Sequence, residues 1–168
     1  MKKRYSEIII RRVQKTDMPQ WLAMRRALWP ECPLREQKRE IAEFFNDTKD
    51  QPVWVAEAAN GELAGFLEVS VRNYAEGAGR EDVGYLEGLY VTPKYRRRGI
   101  GHQLVKAAEQ WAKMRGFNCM ASDTDLDNAA SLRAHLAMGY KEVERDIHFV
   151  KRLKKSGSHR GHTSTSSV

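Results

Sequence analysis

Residues 85–115 constrain the fold of this chain more than any other stretch. A strand-like run, Tyr85-Leu86-Glu87-Gly88-Leu89-Tyr90-Val91, leads to a basic turn, Tyr95-Arg96-Arg97-Arg98-Gly99-Ile100-Gly101, and the turn opens a helix-like run from His102 to Arg115. A strand that feeds a helix so directly belongs to a sheet covered by helices. Ile100, Leu104, Ala107, Ala108 and Trp111 recur at helical spacing, so this helix buries one stripe. The turn also has a chemistry of its own. Successive N–H groups and the positive end of a helix attract anions. Gly99 and Gly101 allow a close backbone approach, and Arg96, Arg97 and Arg98 offer guanidinium forks to phosphate oxygens. The alternative is a basic surface turn. No Gly-Lys-Ser/Thr follows a four-residue spacer, and His102-Gln103-Leu104 leaves the third glycine of a dinucleotide fingerprint missing.

Around this unit the pattern continues. Ile8 to Val13 reads as a strand. Thr16 or Asp17 can cap a helix with Pro19 in its first turn, carrying Trp21, Leu22, Met24, Arg25, Leu28 and Trp29 and stopped by Pro30. A second helix is expected over residues 34–45. Val53–Ala58 and Leu63–Arg72 read as strands joined at Asn60-Gly61, a hairpin turn. After the loop of residues 75–80 come a strand over 83–91 and a helix over 99–114 that Gly116 ends. A strand over 118–122, a helix from Asp127 or Asn128 to Met138, and one or two final strands over 140–153 complete the order β-α-α-β-β-β-α-β-α-β. Hairpins mixed with crossovers imply an α/β fold with a mixed central sheet of about six to seven strands and helices on both faces.

The 168 residues suit one domain, expected over 1–153. Residues 154–168 are Ser, Thr, Gly and His with no apolar period and read as a disordered tail, native or added for expression. The net charge of +7 draws three charges from that tail, and the remainder sets 26 basic against 22 acidic side chains. The basic residues do not interleave with aromatics, so a nucleic-acid stripe is not expected. Cys32 and Cys119 have no metal-ligand spacing and make a poor disulfide framework, which suits a reducing cytoplasm. Ile8-Ile9-Ile10 is too short for a signal or membrane segment.

The Arg-x-x-Gly-x-Gly turn after a strand ending Val-x-Pro, with Asn128-Ala129-Ala130-Ser131-Leu132-Arg133-Ala134-His135-Leu136-Ala137-Met138-Gly139-Tyr140 downstream, resembles the GNAT acetyltransferase superfamily. The element order extends the likeness to residues 8–153. The resemblance implies that strands four and five splay apart and that acetyl-CoA lies in the gap. Backbone groups of Leu89, Tyr90 and Val91 would bind the acetyl and pantetheine end. The turn Arg96, Arg97, Arg98, Gly99, Ile100, Gly101 and the first helical residue His102 would hold the pyrophosphate, with Asn128 and Ser131 at the pantetheine. His135 stands where the family usually has a tyrosine proposed to protonate the leaving thiolate; an imidazole can do that work.

A narrower likeness joins Leu28-Trp29-Pro30, the 85–91 strand, Ala121-Ser122-Asp123-Thr124 and Glu142-x-Glu144-Arg145 to the aminoglycoside 6′-N-acetyltransferases. A polycationic acceptor needs carboxylates. Strand alternation places Tyr85, Glu87, Leu89 and Val91 on one face. Glu87 is the expected general base, with Asp123 sharing that role or binding a second ammonium, and Glu144 a further substrate carboxylate. Trp29 and Tyr74 would wall the sugar rings; Trp21 and Trp111 are expected in the core, and Asp127 in a structural turn. The expected partner is an aminoglycoside, without metal, nucleic acid or membrane, in a homodimer. The rival readings are a relative acting on a protein N-terminus or polyamine, and a non-catalytic CoA- or nucleic-acid-binding module.

Overall fold

The computed structural model describes residues 8–46 and 48–153. Five strands form one sheet in sequence order: β1 (Ile8–Arg12), β2 (Val53–Ala58), β3 (Leu63–Arg72), β4 (Val83–Val91) and β5 (Met120–Ser122). The first four pair antiparallel and β4 pairs parallel with β5. Helices α1 (Met18–Leu28) and α2 (Leu34–Phe44) join β1 to β2, α3 (Ile100–Met114) joins β4 to β5, and α4 (Ala129–Ala137) follows β5.

Alternation along the strands divides the core between the two faces. Leu67 and Val69 of β3 join Trp54, Leu86, Leu104, Val105 and Ala108 under α3. Phe66, Val53 and Val55 join Trp21, Met24, Ile41 and Phe44 under α1 and α2. Trp21 is fully buried and meets Phe44 edge-on at 5.2 Å, and Trp111 meets Trp54 at 6.0 Å, so both act as packing residues as expected.

Three expectations need correction. The Asp17 carboxylate does not cap α1; it turns back to accept from the Gln14 N–H at 2.7 Å and from Arg11 at 2.7 and 2.9 Å. The sheet has five strands rather than six or seven, because residues 141–153 are exposed, form no regular secondary structure and pair with no strand among the described residues. A run of strand-forming residues becomes a strand only where another edge accepts its N–H and C=O groups. The third correction, to the alternation in β4, lies in the site. The tail over 154–168 lies outside the described residues.

Candidate active site

Strand β4 pairs with β5 only where Gly84–Leu86 meet Met120–Ser122. From Glu87 to Val91 it keeps β3 on one side and, among the described residues, has no strand on the other. The splay therefore leaves a backbone edge beside Leu89, Tyr90 and Val91. Gly101, in the first turn of α3, faces this edge: a Cβ there would lie 3.7 Å from Leu89 and 3.9 Å from Val91.

The turn before α3 is pinned from below. Tyr95 is buried and its hydroxyl reaches Glu62 at 3.3 Å, while Arg96 Nε donates to the Val91 carbonyl at 2.9 Å. Arg97 has φ 60° and Gly99 φ 74°, two left-handed residues that curl the chain into the helix. Gly99 is the N-cap and supplies no side-chain cap, so the first N–H groups of α3 stay available to an anion. The phosphate of a CoA fits this donor set. Arg96 braces the turn, whereas Arg97 and Arg98 are exposed at its rim.

The acceptor side depends on a bulge. Glu68 pairs with Gly88 and Val69 with Leu86, so Glu87 is an extra residue without a cross-strand partner. A bulge resets the alternation and re-aims a side chain. Leu89 and Val91 pack with Leu86 under α3. Glu87 instead turns to the opposite face, where its carboxylate takes Ser70 Oγ at 2.5 Å, Arg72 Nε at 3.0 Å and a terminal Arg72 nitrogen at 2.7 Å. The expectation that Glu87 shares a face with Leu89 and Val91 is thus overturned.

Arg72 lies 3.4 Å over the ring of Tyr85. Burial, and a hydrogen bond to the Asp123 carboxylate, raise the Tyr85 hydroxyl well above its ordinary pKa and keep it protonated. Burial alone would lower Arg72; the bonds and charge of Glu87, with Tyr85 and Asp123 nearby, raise it instead. Glu87, Arg72 and Tyr85 are thus one connected group at the mouth of the splay, with the Asp123 charge near enough to act on Arg72 and Tyr85.

Trp29 sits beside this group. It ends α1, where Gln37 Nε2 donates to its carbonyl at 2.9 Å, and its half-buried ring packs against Gly88 of β4. A Cβ at Gly88 would collide with that ring, which explains the glycine. Arg25 stacks on the Trp29 ring at 5.0 Å and ion-pairs with Glu40. Beneath lies Glu68, which accepts from Trp21 Nε1 at 2.8 Å and stands 3.6 Å from Arg25 Nε. Burial pushes the Glu68 carboxyl up to about 7, against the pull of Arg25 and the Trp21 bond.

Across the splay, α4 is tied to β5. Asn128 caps α4 by accepting from the Ser131 N–H at 3.0 Å. The His135 ring bridges α4 and β5: Nδ1 lies 2.9 Å from the Ser131 carbonyl and Nε2 2.9 Å from Ser122 Oγ. Tyr74 is half exposed in the β3–β4 connection. Glu144 is exposed, and no hydrogen bond or ion pair among the described residues joins it to Glu87 or Asp123. Sequence reasoning missed Ser70, Arg72, Tyr85 and Glu68. The signal available for three of them was period two: Glu68, Ser70 and Arg72 share one face of β3.

Residues 19–140 match the acetyltransferase (GNAT) family. The aminoglycoside N(6′)-acetyltransferase type 1 of Klebsiella aerogenes is 49% identical over 140 residues, 82% of this chain and 92% of that protein. Its counterpart in Salmonella enteritidis is 35% identical over 144 residues, 85% of this chain and 98% of that one. Among solved structures, aminoglycoside N-acetyltransferase AAC(6′)-Iy in complex with CoA superposes with a TM-score of 0.83 at 34% identity, covering 91% of this chain and 100% of that one. The same enzyme with the bisubstrate analogue CoA-S-monomethyl-acetylneamine gives 0.82 at 34% identity over 88% and 100%.

Proposed function

The chain belongs to the GNAT acetyltransferase family, and on that premise we propose that it transfers acetyl from acetyl-CoA to the 6′-amine of aminoglycoside antibiotics. The observation that carries the acceptor half is the linked Glu87–Arg72–Tyr85 group at the mouth of the splay, with the Asp123 charge acting on it and the Trp29 ring packed against the neighbouring Gly88. A polyammonium sugar needs these elements: anions for its charges and a flat apolar wall for its rings.

Acetyl-CoA, when bound, supplies an acetyl group activated as a thioester. The backbone edge at Leu89, Tyr90 and Val91 is suited to hold its acetyl and pantetheine end, and the turn from Arg96 to Gly101 with His102 its phosphates. Asn128 and Ser131, at the start of α4, are suited to contact the pantetheine. Glu87 takes a proton from the acceptor ammonium, directly or through water; a positioned base of this kind contributes about 10² to 10⁴-fold. Asp123 holds a second ammonium group. Trp29 and Tyr74 flank the sugar. His135 is the proton donor to the leaving thiolate on the opposite side. The experiment is thiol release with kanamycin, tobramycin, spermine and N-terminal peptides. Release restricted to the aminoglycosides supports this reading, and a preference for peptides or spermine overturns it.

The active form is a homodimer in this reading, and Glu144 reaches an acceptor there. Residues 141–153 leave Ile147, Phe149, Val150 and Leu153 between 78% and 92% exposed, and among the described residues β5 ends the sheet with an unpaired edge. Such a segment and edge require a cover, and a second copy supplies both complementary parts. Light scattering should give twice the chain mass, and Phe149→Asp should halve it; a monomeric wild type overturns this. A cytoplasmic setting fits the use of acetyl-CoA and the free thiols of Cys32 and Cys119.

A further inference from the structure

Glu87 is the extra residue of a bulge, so no cross-strand partner fixes its backbone and its side-chain contacts set where the carboxylate points. Taking Glu87 as the proton acceptor named above, we propose that Arg72 and Ser70 are positioning residues that fill three of its acceptor directions and leave one, on Oε2, for the acceptor ammonium.

A carboxylate presents about four lone-pair sites, two on each oxygen. Oε1 has both occupied, by Ser70 Oγ at 2.5 Å and Arg72 Nε at 3.0 Å. Oε2 has one occupied, by the terminal Arg72 nitrogen at 2.7 Å. The remaining site on Oε2 is where an N–H of the acceptor, or a bridging water, can bind. Proton transfer there moves one proton from the ammonium nitrogen to Oε2 and frees the nitrogen lone pair; no other bond changes.

Arg72 is itself held. Its guanidinium lies 3.4 Å over the ring of Tyr85, whose side chain is buried. The guanidinium cannot rotate away without uncovering that ring. The planar fork matters because it grips both carboxylate oxygens at fixed angles, which a lysine cannot do. Stability does not explain the arrangement: Arg72 and Glu87 side chains are 42% and 33% exposed, and pairs so exposed to solvent contribute little to folding. What the contacts secure is direction, and loss of direction is costly in a transfer reaction.

The test is a double-mutant cycle in steady-state turnover with an aminoglycoside acceptor. Arg72→Ala should lower kcat by about 10²-fold and leave the acetyl-CoA KM unchanged, because a group misplaced by about 1 Å costs that much. Arg72→Lys should recover only about a tenth of the lost rate, since it restores charge without the fork. In a Glu87→Gln background, Arg72→Ala should cost less than about threefold, because residues that act through one another are not additive. Should Arg72→Ala fail to fold, Ser70→Ala, which removes one hydroxyl, carries the same cycle. Equal losses from Arg72→Ala in both backgrounds, or full recovery with Arg72→Lys, overturn the proposal while Glu87 remains the base. Wild-type turnover in Glu87→Gln alone removes the base reading, and this proposal with it.

Discussion

Glu68→Gln gives a signed prediction from the layer beneath the site. The Glu68 side chain is 13% exposed, and burial lifts its carboxyl from 4.5 to about 7. A folded-state pKa above the unfolded value means that the native state binds the proton more tightly. The contribution to stability is then fully present below pH 4.5 and is lost as pH rises through about 7. At 1.36 kcal/mol per pH unit, the loss is on the order of 3 kcal/mol. Glutamine mimics the protonated acid: its carbonyl still accepts from Trp21 Nε1, and it has no charge to desolvate. Glu68→Gln should therefore match wild type near pH 4.5 and exceed it by up to about 3 kcal/mol above pH 8. Urea denaturation across pH 4.5–8.5 measures the difference. A flat difference, or a mutant that weakens as pH rises, refutes the reasoning and shows that attraction to Arg25 outweighs desolvation.

Three further outcomes follow from the same geometry. Gly88→Ala forces a methyl into the Trp29 ring, so it should cost about 1–3 kcal/mol in denaturation and raise the acceptor KM with little change in the acetyl-CoA KM. Gly99→Ala meets no atom within 4 Å, yet must hold φ 74°; it should cost about 1 kcal/mol and raise the acetyl-CoA KM, with Gly99→Asn milder. Arg11 holds the Asp17 carboxyl below 3.8, so its stabilisation is present above that pH and lost as pH falls through the lower folded value; Asp17→Asn should destabilise at neutral pH and converge with wild type in acid.

Much of this was legible in the residues. The Asn60-Gly61 turn and its flanking runs fixed the β2–β3 hairpin, and the apolar stripe from Ile100 to Trp111 fixed α3 and its buried face. The residues around the splay were legible through the motif they share with a family. What failed did so for physical reasons. Period two assumes an unbroken ladder, and the extra residue at Glu87 breaks it without a glycine or proline at that position to announce it. Strand propensity in residues 140–153 says nothing about which edge will accept the strand. Arg72 ends a strand, where a charged side chain ordinarily faces water, and only the hairpin register brings it to Glu87. Arg25, Gln37 and Glu68 are polar residues drawn into the interior by one another and by Trp21, Trp29 and Glu40, a network with no linear pattern.

The central claim concerns which nitrogen is acetylated. Acetyl-CoA turnover should be followed with two matched aminoglycosides that differ only at the 6′ position, one with an amine and one with a hydroxyl, and the product mapped by NMR. Acetyl found on the 6′ nitrogen, with turnover lost for the hydroxyl partner, is the result predicted here. Equal turnover of both compounds, or acetyl on another ring, would contradict it.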